Sequence, residues 1–145
     1  MGQFVQHIEN LLTSQDFIDF VLLFGSFARG KETPLSDIDL GIHLSRPIDL
    51  LTLGRLAAEL ERITGRCVDV LVLNDALQRN ANMAYQVAAS GKLIACKDRS
   101  AYVNFKAQAI LRYLDTAYLR ETVERAFLER VRNNRLGERG HARTA

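Results

Sequence analysis

The sequence predicts an α+β fold: a mixed β-sheet of about four strands with helices packed on it and a long C-terminal helix. Three observations predict it. Short β-favouring runs alternate with amphipathic stretches in the order α-β-α-β-α-β-α-β-α. Helices follow most strands, and the faces of a sheet must be covered by something. The first apolar run, Val21-Leu-Leu-Phe24, has the composition of a strand buried on both faces.

The elements follow in order. Residues 2–14 place Phe4, Val5, Ile8, Leu11 and Leu12 at helical spacing. Asp16 to Phe24 is a strand, ending at Gly25-Ser26; a short helical stretch, Phe27-Ala-Arg29, then meets Gly30. Lys31 to Ser36 is a polar loop, and Asp37 to Leu44 a second strand in which Asp37 and Asp39 alternate with Ile38 and Leu40. Ile48 to Thr64 is an amphipathic helix with Leu53, Leu56, Ala57, Leu60 and Ile63 on one face, stopped by Gly65. Cys67 to Leu73 is a third strand. Asn74 is expected to cap a helix from about Asp75 to Ser90, closed by Gly91. Lys92 to Cys96 is a fourth strand, and Asp98 can cap a long helix to about Asn133.

The chain has 145 residues, a length that corresponds to one domain, here residues 1–133 followed by a basic tail at 134–145. Hydrophobic residues make up 48% and charged residues 25%, which excludes wholesale disorder. No apolar run is long enough to span a bilayer, and Met1-Gly-Gln-Phe-Val-Gln-His7 lacks the pattern of a signal peptide. The two cysteines, Cys67 and Cys96, sit in apolar strand-like runs and read as free, buried thiols of a reducing cytoplasm. Net charge is +2, unevenly placed: residues 1–119 carry −1 and residues 120–145 carry +3. The excess lies on Arg120, Arg125, Arg130, Arg132, Arg135, Arg139 and Arg143. No aromatic or glycine pattern of an RNA module accompanies these arginines, so a solvated helix face running into a disordered tail is expected, and direct nucleic-acid binding is not.

The chemistry concentrates in Gly25-Ser26-Phe27-Ala28-Arg29-Gly30 and Ser36-Asp37-Ile38-Asp39-Leu40. A Gly-Ser pair that closes a buried strand and opens a helix lets a ligand approach the backbone and aims N–H groups at it, which suits a phosphate. The Ser26 hydroxyl adds a donor, and Arg29 is one turn along. Asp37 and Asp39, at i and i+2 of a strand, share one face. Like charges so placed hold a cation or solvate a turn, and hard oxygen ligands suit Mg²⁺ together with substrate phosphates. Asp69 stands in the middle of an otherwise apolar strand, and a buried carboxylate needs a partner. Arg66 or Arg62 is one possible partner; metal ions shared with Asp37 and Asp39 are the other. Three carboxylates on two strands facing a phosphate-binding turn describe a two-metal phosphoryl or nucleotidyl transfer site.

Gly25-Ser26, ten residues and Asp37-Ile-Asp39 match the Gly-Ser-x10-Asp-x-Asp signature of the DNA polymerase β-type nucleotidyltransferase superfamily. The longer string Gly-Ser-Phe-Ala-Arg-Gly…Ser-Asp-Ile-Asp-Leu resembles the minimal nucleotidyltransferases. Gly65-Arg-Cys-Val-Asp-Val-Leu-Val-Leu73, Ala89-Ser-Gly-Lys-Leu-Ile-Ala-Cys-Lys-Asp98 and the helix with Tyr-Leu-Asp and Tyr-Leu-Arg resemble their MntA-like antitoxin branch, over about residues 2–132. The resemblance implies the nucleotidyltransferase fold, ATP with Mg²⁺, and transfer of AMP to a tyrosine of a HEPN-domain RNase toxin, which is thereby silenced. It places Gly25 and Ser26, with Arg29 and Ser36, at the nucleotide. It places Asp37, Asp39 and Asp69 as metal ligands and catalytic carboxylates, with Asp69 as proton acceptor. Arg29 or Lys31 would offset charge on the leaving group, while a surface pair with Glu32 is the alternative for Arg29. Rival readings are a transferase acting on a small molecule and a non-catalytic antitoxin that acts by occlusion.

The remaining features are less informative. The last helix carries Tyr102, Phe105, Tyr113, Tyr118, Leu119, Phe127 and Leu128, more directions than one core-facing stripe needs. They form a binding face for a protein partner, or cap the domain's own core or a homodimer seam. His7, His43 and His141 are scattered, and His43, between Ile42 and Leu44, reads as a structural histidine; Met83 and Tyr85 read as helix packing.

Overall fold

The computed structural model describes residues 2–26, 28–31, 33 and 35–133. Its order is α1 (Gly2–Thr13), β1 (Ile18–Phe24), β2 (Ile38–Leu44), α2 (Leu50–Thr64), β3 (Val68–Val72), α3 (Leu73–Arg79), α4 (Ala81–Ser90), β4 (Lys92–Cys96) and α5 (Arg99–Arg132). The strands form one sheet in the order β3-β2-β1-β4. β1 is antiparallel to both β2 and β4, whereas β2 and β3 run parallel with α2 as their crossover. This is the mixed, helix-covered sheet expected from the alternation of elements. The side chain of Phe4, residues Phe27 and Glu32, and the basic tail at 134–145 lie outside the described residues.

Strand periodicity divides the core in two. Val21, Leu23, Ile38, Leu40, Ile42 and Val68 point to one face, where Ile8 and Leu12 of α1 and Leu56 and Leu60 of α2 cover them. Phe20, Leu22, Leu71 and Leu93 point to the other, against Leu73 and Ala76 of α3, Ala84 and Val87 of α4, and Phe105 and Ala109 of α5. β1 lies between two neighbours and is buried on both faces, as its composition requires. Gly41 lets α3 sit directly on β2, because a Cβ there would come within 2.8 Å of Leu73 Cδ2.

The ends of α2 and α5 follow the sequence closely. Asp49 accepts a hydrogen bond from Thr52 N at 2.8 Å at the start of α2, and Gly65 closes it at φ 67°. Asp98 accepts from Ala101 N at 3.0 Å and opens the 34-residue α5. One expectation needs correction. The single helix from Asp75 to Ser90 is two helices, because Asn80 leaves helical geometry at φ −146° and its side chain accepts from Met83 N at 3.1 Å to start α4. An asparagine amide competes with the helix ladder in this way. Asn74 is likewise not a cap: it lies inside α3 and bridges the end of β2, accepting from Leu44 N at 2.9 Å and donating to Leu44 O at 3.0 Å.

The cysteines are free but not buried. Cys67 precedes β3 and Cys96 ends β4, both edge strands, and both residues are exposed. Local apolar sequence does not reveal which strands are edges. No helix among the described residues is long and apolar enough to cross a membrane.

Two stability predictions follow from this packing. Leu73→Ala removes a fully buried side chain between Gly41 and the α4–α5 layer. It should lower unfolding free energy by about 2–5 kcal/mol in urea titrations with an unchanged m-value. Hydrogen bonds from Thr52, aided by the nearby Arg55 charge, hold the Asp49 carboxyl below its ordinary 3.8. A lowered carboxylate stabilises the fold above its unfolded pKa and loses that contribution as pH falls through the folded value. The Tm gap between wild type and Asp49→Ala should therefore be widest near neutral pH and narrow in acid below 3.8; a gap independent of pH would remove the charge from the cap.

Candidate functional site

The site forms where β1 ends and β2 begins. β1 terminates at Gly25, whose φ of 75° turns the chain sharply off the sheet. Arg29 N donates to Gly25 O at 3.2 Å, Lys31 N donates to Ser26 O at 2.9 Å, and Gly30 reverses the chain at φ 67°. The short helix expected after Gly25-Ser26 is therefore a compact turn over its described residues, since glycines at both ends stop propagation. A phosphate bound here would meet the backbone of the turn rather than a helix dipole. Ser26 is half-buried, whereas Arg29 and Lys31 are exposed.

Asp39 stands beside this turn. It pairs with Phe24 on one side of β2 and with Asp69 on the other. The alternation of β2 puts its side chain on the Phe20–Leu22 face, beyond the reach of the covering helices. Gly25 is in contact with it: a Cβ on Gly25 would collide with the Asp39 carboxylate. Glycine is thus required twice, for the left-handed backbone and for the space.

The carboxylates come together by register. Asp39 and Asp69 are direct partners across the parallel β2–β3 pair, and Asp37 precedes β2 by one residue. Burial raises the Asp39 pKa above its ordinary 3.8, followed by the charges of Asp69 and Asp37. Arg29 opposes that rise, and a hydrogen bond with Asp69 adds to it. The sequence expectation of a buried Asp69 is corrected: Asp69 is exposed, because β3 is an edge strand and its site-facing side is open. Among the described residues no three His, Cys, Asp or Glu side chains form a preformed metal cluster. The donor set nonetheless fits a hard divalent cation. Mutually repelling carboxylate oxygens, open on one side, match an ion that keeps several waters and binds substrate phosphates.

The loop leading into Asp37 is held from β3. Ser36 N donates to Thr33 O at 3.0 Å, and the Ser36 hydroxyl accepts from Thr33 N at 2.8 Å and lies 3.1 Å from Thr33 Oγ1. Ser36 is thus engaged with the loop that delivers Asp37. Arg66, entering β3, donates from Nη1 to Thr33 O at 2.8 Å and to Ser36 O at 3.3 Å. Sequence reasoning weighed Arg66 only as a charge partner for Asp69. Carbonyl acceptors thirty residues away leave no trace in a sequence pattern. The other alternative, Arg62, pairs with Glu59 of its own helix.

His43 shares a strand with Asp39 but not its site. Its Nδ1 lies 2.8 Å from Asp19 Oδ2, and its ring stacks on Phe20 with centroids 4.8 Å apart. This is the structural histidine expected from its apolar neighbours. Tyr85 stacks on Tyr113 at 4.0 Å and joins α4 to α5, as helix packing requires.

Comparison with known proteins agrees with this arrangement. The family model for polymerase beta nucleotidyltransferases matches residues 6–100, a span that contains the turn and all three carboxylates. The curated "Putative protein adenylyltransferase MJ0435" of Methanocaldococcus jannaschii is 44% identical over 52 residues, covering 36% of this chain and 56% of that relative. The match therefore spans about half the length of that relative. A chain of a toxin–antitoxin crystal structure with AMP-PNP superposes with a TM-score of 0.71 at 22% identity, over 86% of this chain and 98% of the other. A chain from a complex of tri-AMPylated Shewanella oneidensis HEPN toxin with MNT antitoxin gives 0.67 at 20% identity, over 88% and 98%. These two share the fold. The family match covers most of the chain, and with it the chain belongs to the polymerase beta nucleotidyltransferase family.

Proposed function

We propose that the protein is a Mg²⁺-dependent protein adenylyltransferase that acts as an antitoxin, transferring AMP from ATP to a tyrosine of a cognate HEPN-domain toxin. The observation that carries this reading is the contact of Gly25 with Asp39, with Asp69 in register across the sheet. A glycine turn set against carboxylates, in a chain of the nucleotidyltransferase family, supports a turn that binds phosphate beside a cation. The neighbouring folds support the rest, since one is a structure with AMP-PNP and another includes an AMPylated HEPN toxin.

In this reading the Gly25-Ser26 turn binds the β- and γ-phosphates through backbone N–H groups and the Ser26 hydroxyl. Asp37, Asp39 and Asp69 would hold magnesium, which supplies phosphate charge neutralisation and acidifies an incoming hydroxyl when bound. Asp69, exposed on the edge strand, accepts the proton of the tyrosine hydroxyl. The tyrosine oxygen attacks the α-phosphorus in line, the new O–P bond forms, and pyrophosphate departs. Arg29, whose charge already acts on Asp39, offsets charge on the leaving pyrophosphate. Ser36 serves the nucleotide site through the loop that ends at Asp37.

A protein acceptor is favoured by α5. At 3.6 residues per turn, Val123 and Phe127 lie about five turns beyond Phe105 and Ala109, on the same side of the helix. Phe105 and Ala109 are buried in the core, whereas Leu119, Val123 and Phe127 are 62%, 69% and 54% exposed. With Thr116, Arg120 and Glu124 they form an open face of α5. The row that seats α5 on its own core continues past the end of that core, which suits a row that seats the toxin.

The test is to incubate the protein with α-labelled ATP, Mg²⁺ and the HEPN-domain protein encoded beside it, then read label and intact mass of that protein. Mass gains in whole AMP units are expected. A stable complex without label would indicate occlusion, and neither label nor complex would point to a small-molecule acceptor. Asp39→Ala and Gly25→Ala should each lower transfer by at least about 10²-fold, the scale seen when an electrostatic element of a catalytic site is lost. The Asp39→Ala protein should stay folded by circular dichroism. Phe127→Glu should weaken the complex by about 2 kcal/mol or more in titration calorimetry, as for a central interface residue, with an unchanged far-UV spectrum.

A further inference from the structure

We infer that Arg66 is a positioning residue for nucleotidyl transfer: it fixes Asp37 against Asp39 and Asp69 by holding the Thr33–Ser36 turn to the start of β3. The inference rests on the proposed transferase reading and extends it to a residue outside the Gly-Ser and Asp-x-Asp positions.

Both sides of the connection are built. On the β3 side, Arg66 follows the Gly65 cap, and its N–H donates to Thr64 Oγ1 at 3.3 Å while Thr64 Oγ1 donates to Leu60 O at 2.8 Å. Two residues on, Glu61 Oε2 accepts from Val68 N at 3.0 Å. The backbone that carries Arg66 is therefore tied to the last turns of α2. On the loop side, the Thr33–Ser36 turn is closed by its own hydrogen bonds, and Arg66 Nη1 donates to the Thr33 carbonyl, which also accepts from Ser36 N, at 2.8 Å and to the Ser36 carbonyl at 3.3 Å. Ile38 N donates to Cys67 O at 2.9 Å, the next rung of the same connection. Asp37 lies between these two anchor points.

Without them the turn is poorly held. Leu35 at its tip is 93% exposed and contributes nothing to the core. Asp37 is itself exposed, so no packing fixes its carboxylate. Charged hydrogen bonds from Arg66 Nη1 to the two carbonyl oxygens tie the turn to β3.

Arg66→Met and Arg66→Lys test this in the full-length protein. Amide hydrogen exchange over residues 33–38 is measured first, without metal or nucleotide. The Mg²⁺ concentration for half-maximal AMP transfer follows. For Arg66→Met we expect faster exchange confined to residues 33–38, a Tm within a few degrees of wild type, and a half-saturating Mg²⁺ raised by about 10–100-fold, the usual consequence of losing support behind a metal ligand. At saturating Mg²⁺ much of the kcat should return, and Arg66→Lys should recover part of both effects by keeping one donor. Unchanged exchange over 33–38 would overturn the inference, as would a loss of kcat at all Mg²⁺ concentrations with no shift in Mg²⁺ dependence. Wild-type protein that transfers no AMP to any acceptor would defeat the transferase reading instead, and the exchange measurement would still decide whether Arg66 holds the turn.

Discussion

The site depends on an electrostatic conflict that the fold imposes. Parallel pairing of β2 with β3 sets Asp39 opposite Asp69, and Asp37 follows from the strand period. Asp39 and Asp69 cannot move apart without breaking register, and a one-residue slip would turn every core side chain of β2 to the wrong face. The cores on both sides of the sheet therefore maintain the repulsion: Ile38, Leu40 and Ile42 are completely buried on one face while Asp39 is presented on the other. Burial raises the Asp39 pKa most, and the charges of Asp69 and Asp37 add to that rise. A divalent cation held by these carboxylates would relieve the repulsion, and ion binding would then be tied to the stability of the sheet.

The turn after β1 belongs to the same design. β1 is an interior strand, buried on both faces, so the loop leaves the sheet from a strand held by neighbours on either side. Gly25 leaves it with a left-handed backbone and no side chain, and the Asp39 carboxylate occupies the vacant space. The Gly25 turn and the Asp39 carboxylate are thus in contact in the unliganded fold. This is the preorganisation that phosphoryl chemistry draws on, where positioning and charge stabilisation supply most of the catalysis.

Much of this was legible in the sequence because it is local. Strand period, the Gly25 and Gly65 turns and the Asp98 cap each need only a few neighbouring residues, and β4 lies where its short apolar run placed it. The departures all involve information from elsewhere in the fold. Cys67, Cys96 and Asp69 are exposed because β3 and β4 are edge strands, a property of sheet order rather than of their own composition. Asn80 splits a helix that hydrophobic spacing alone would continue, and Asn74 serves Leu44 thirty residues away instead of capping its own helix. Arg66 belongs to the same class, since its acceptors are carbonyls of a distant turn and any residue type supplies a carbonyl.

The central claim is that Gly25-Ser26 and the three carboxylates form one phosphate-and-cation site. Crystals grown with Mn²⁺ and a non-hydrolysable ATP analogue test it directly, because anomalous scattering locates the ion without reference to activity. The account predicts Mn²⁺ bound by Asp39 together with Asp37 or Asp69, bridging to phosphate oxygens that rest on the Gly25-Ser26 turn. Nucleotide bound elsewhere, or phosphates on the turn with Mn²⁺ bound away from Asp39, would contradict it.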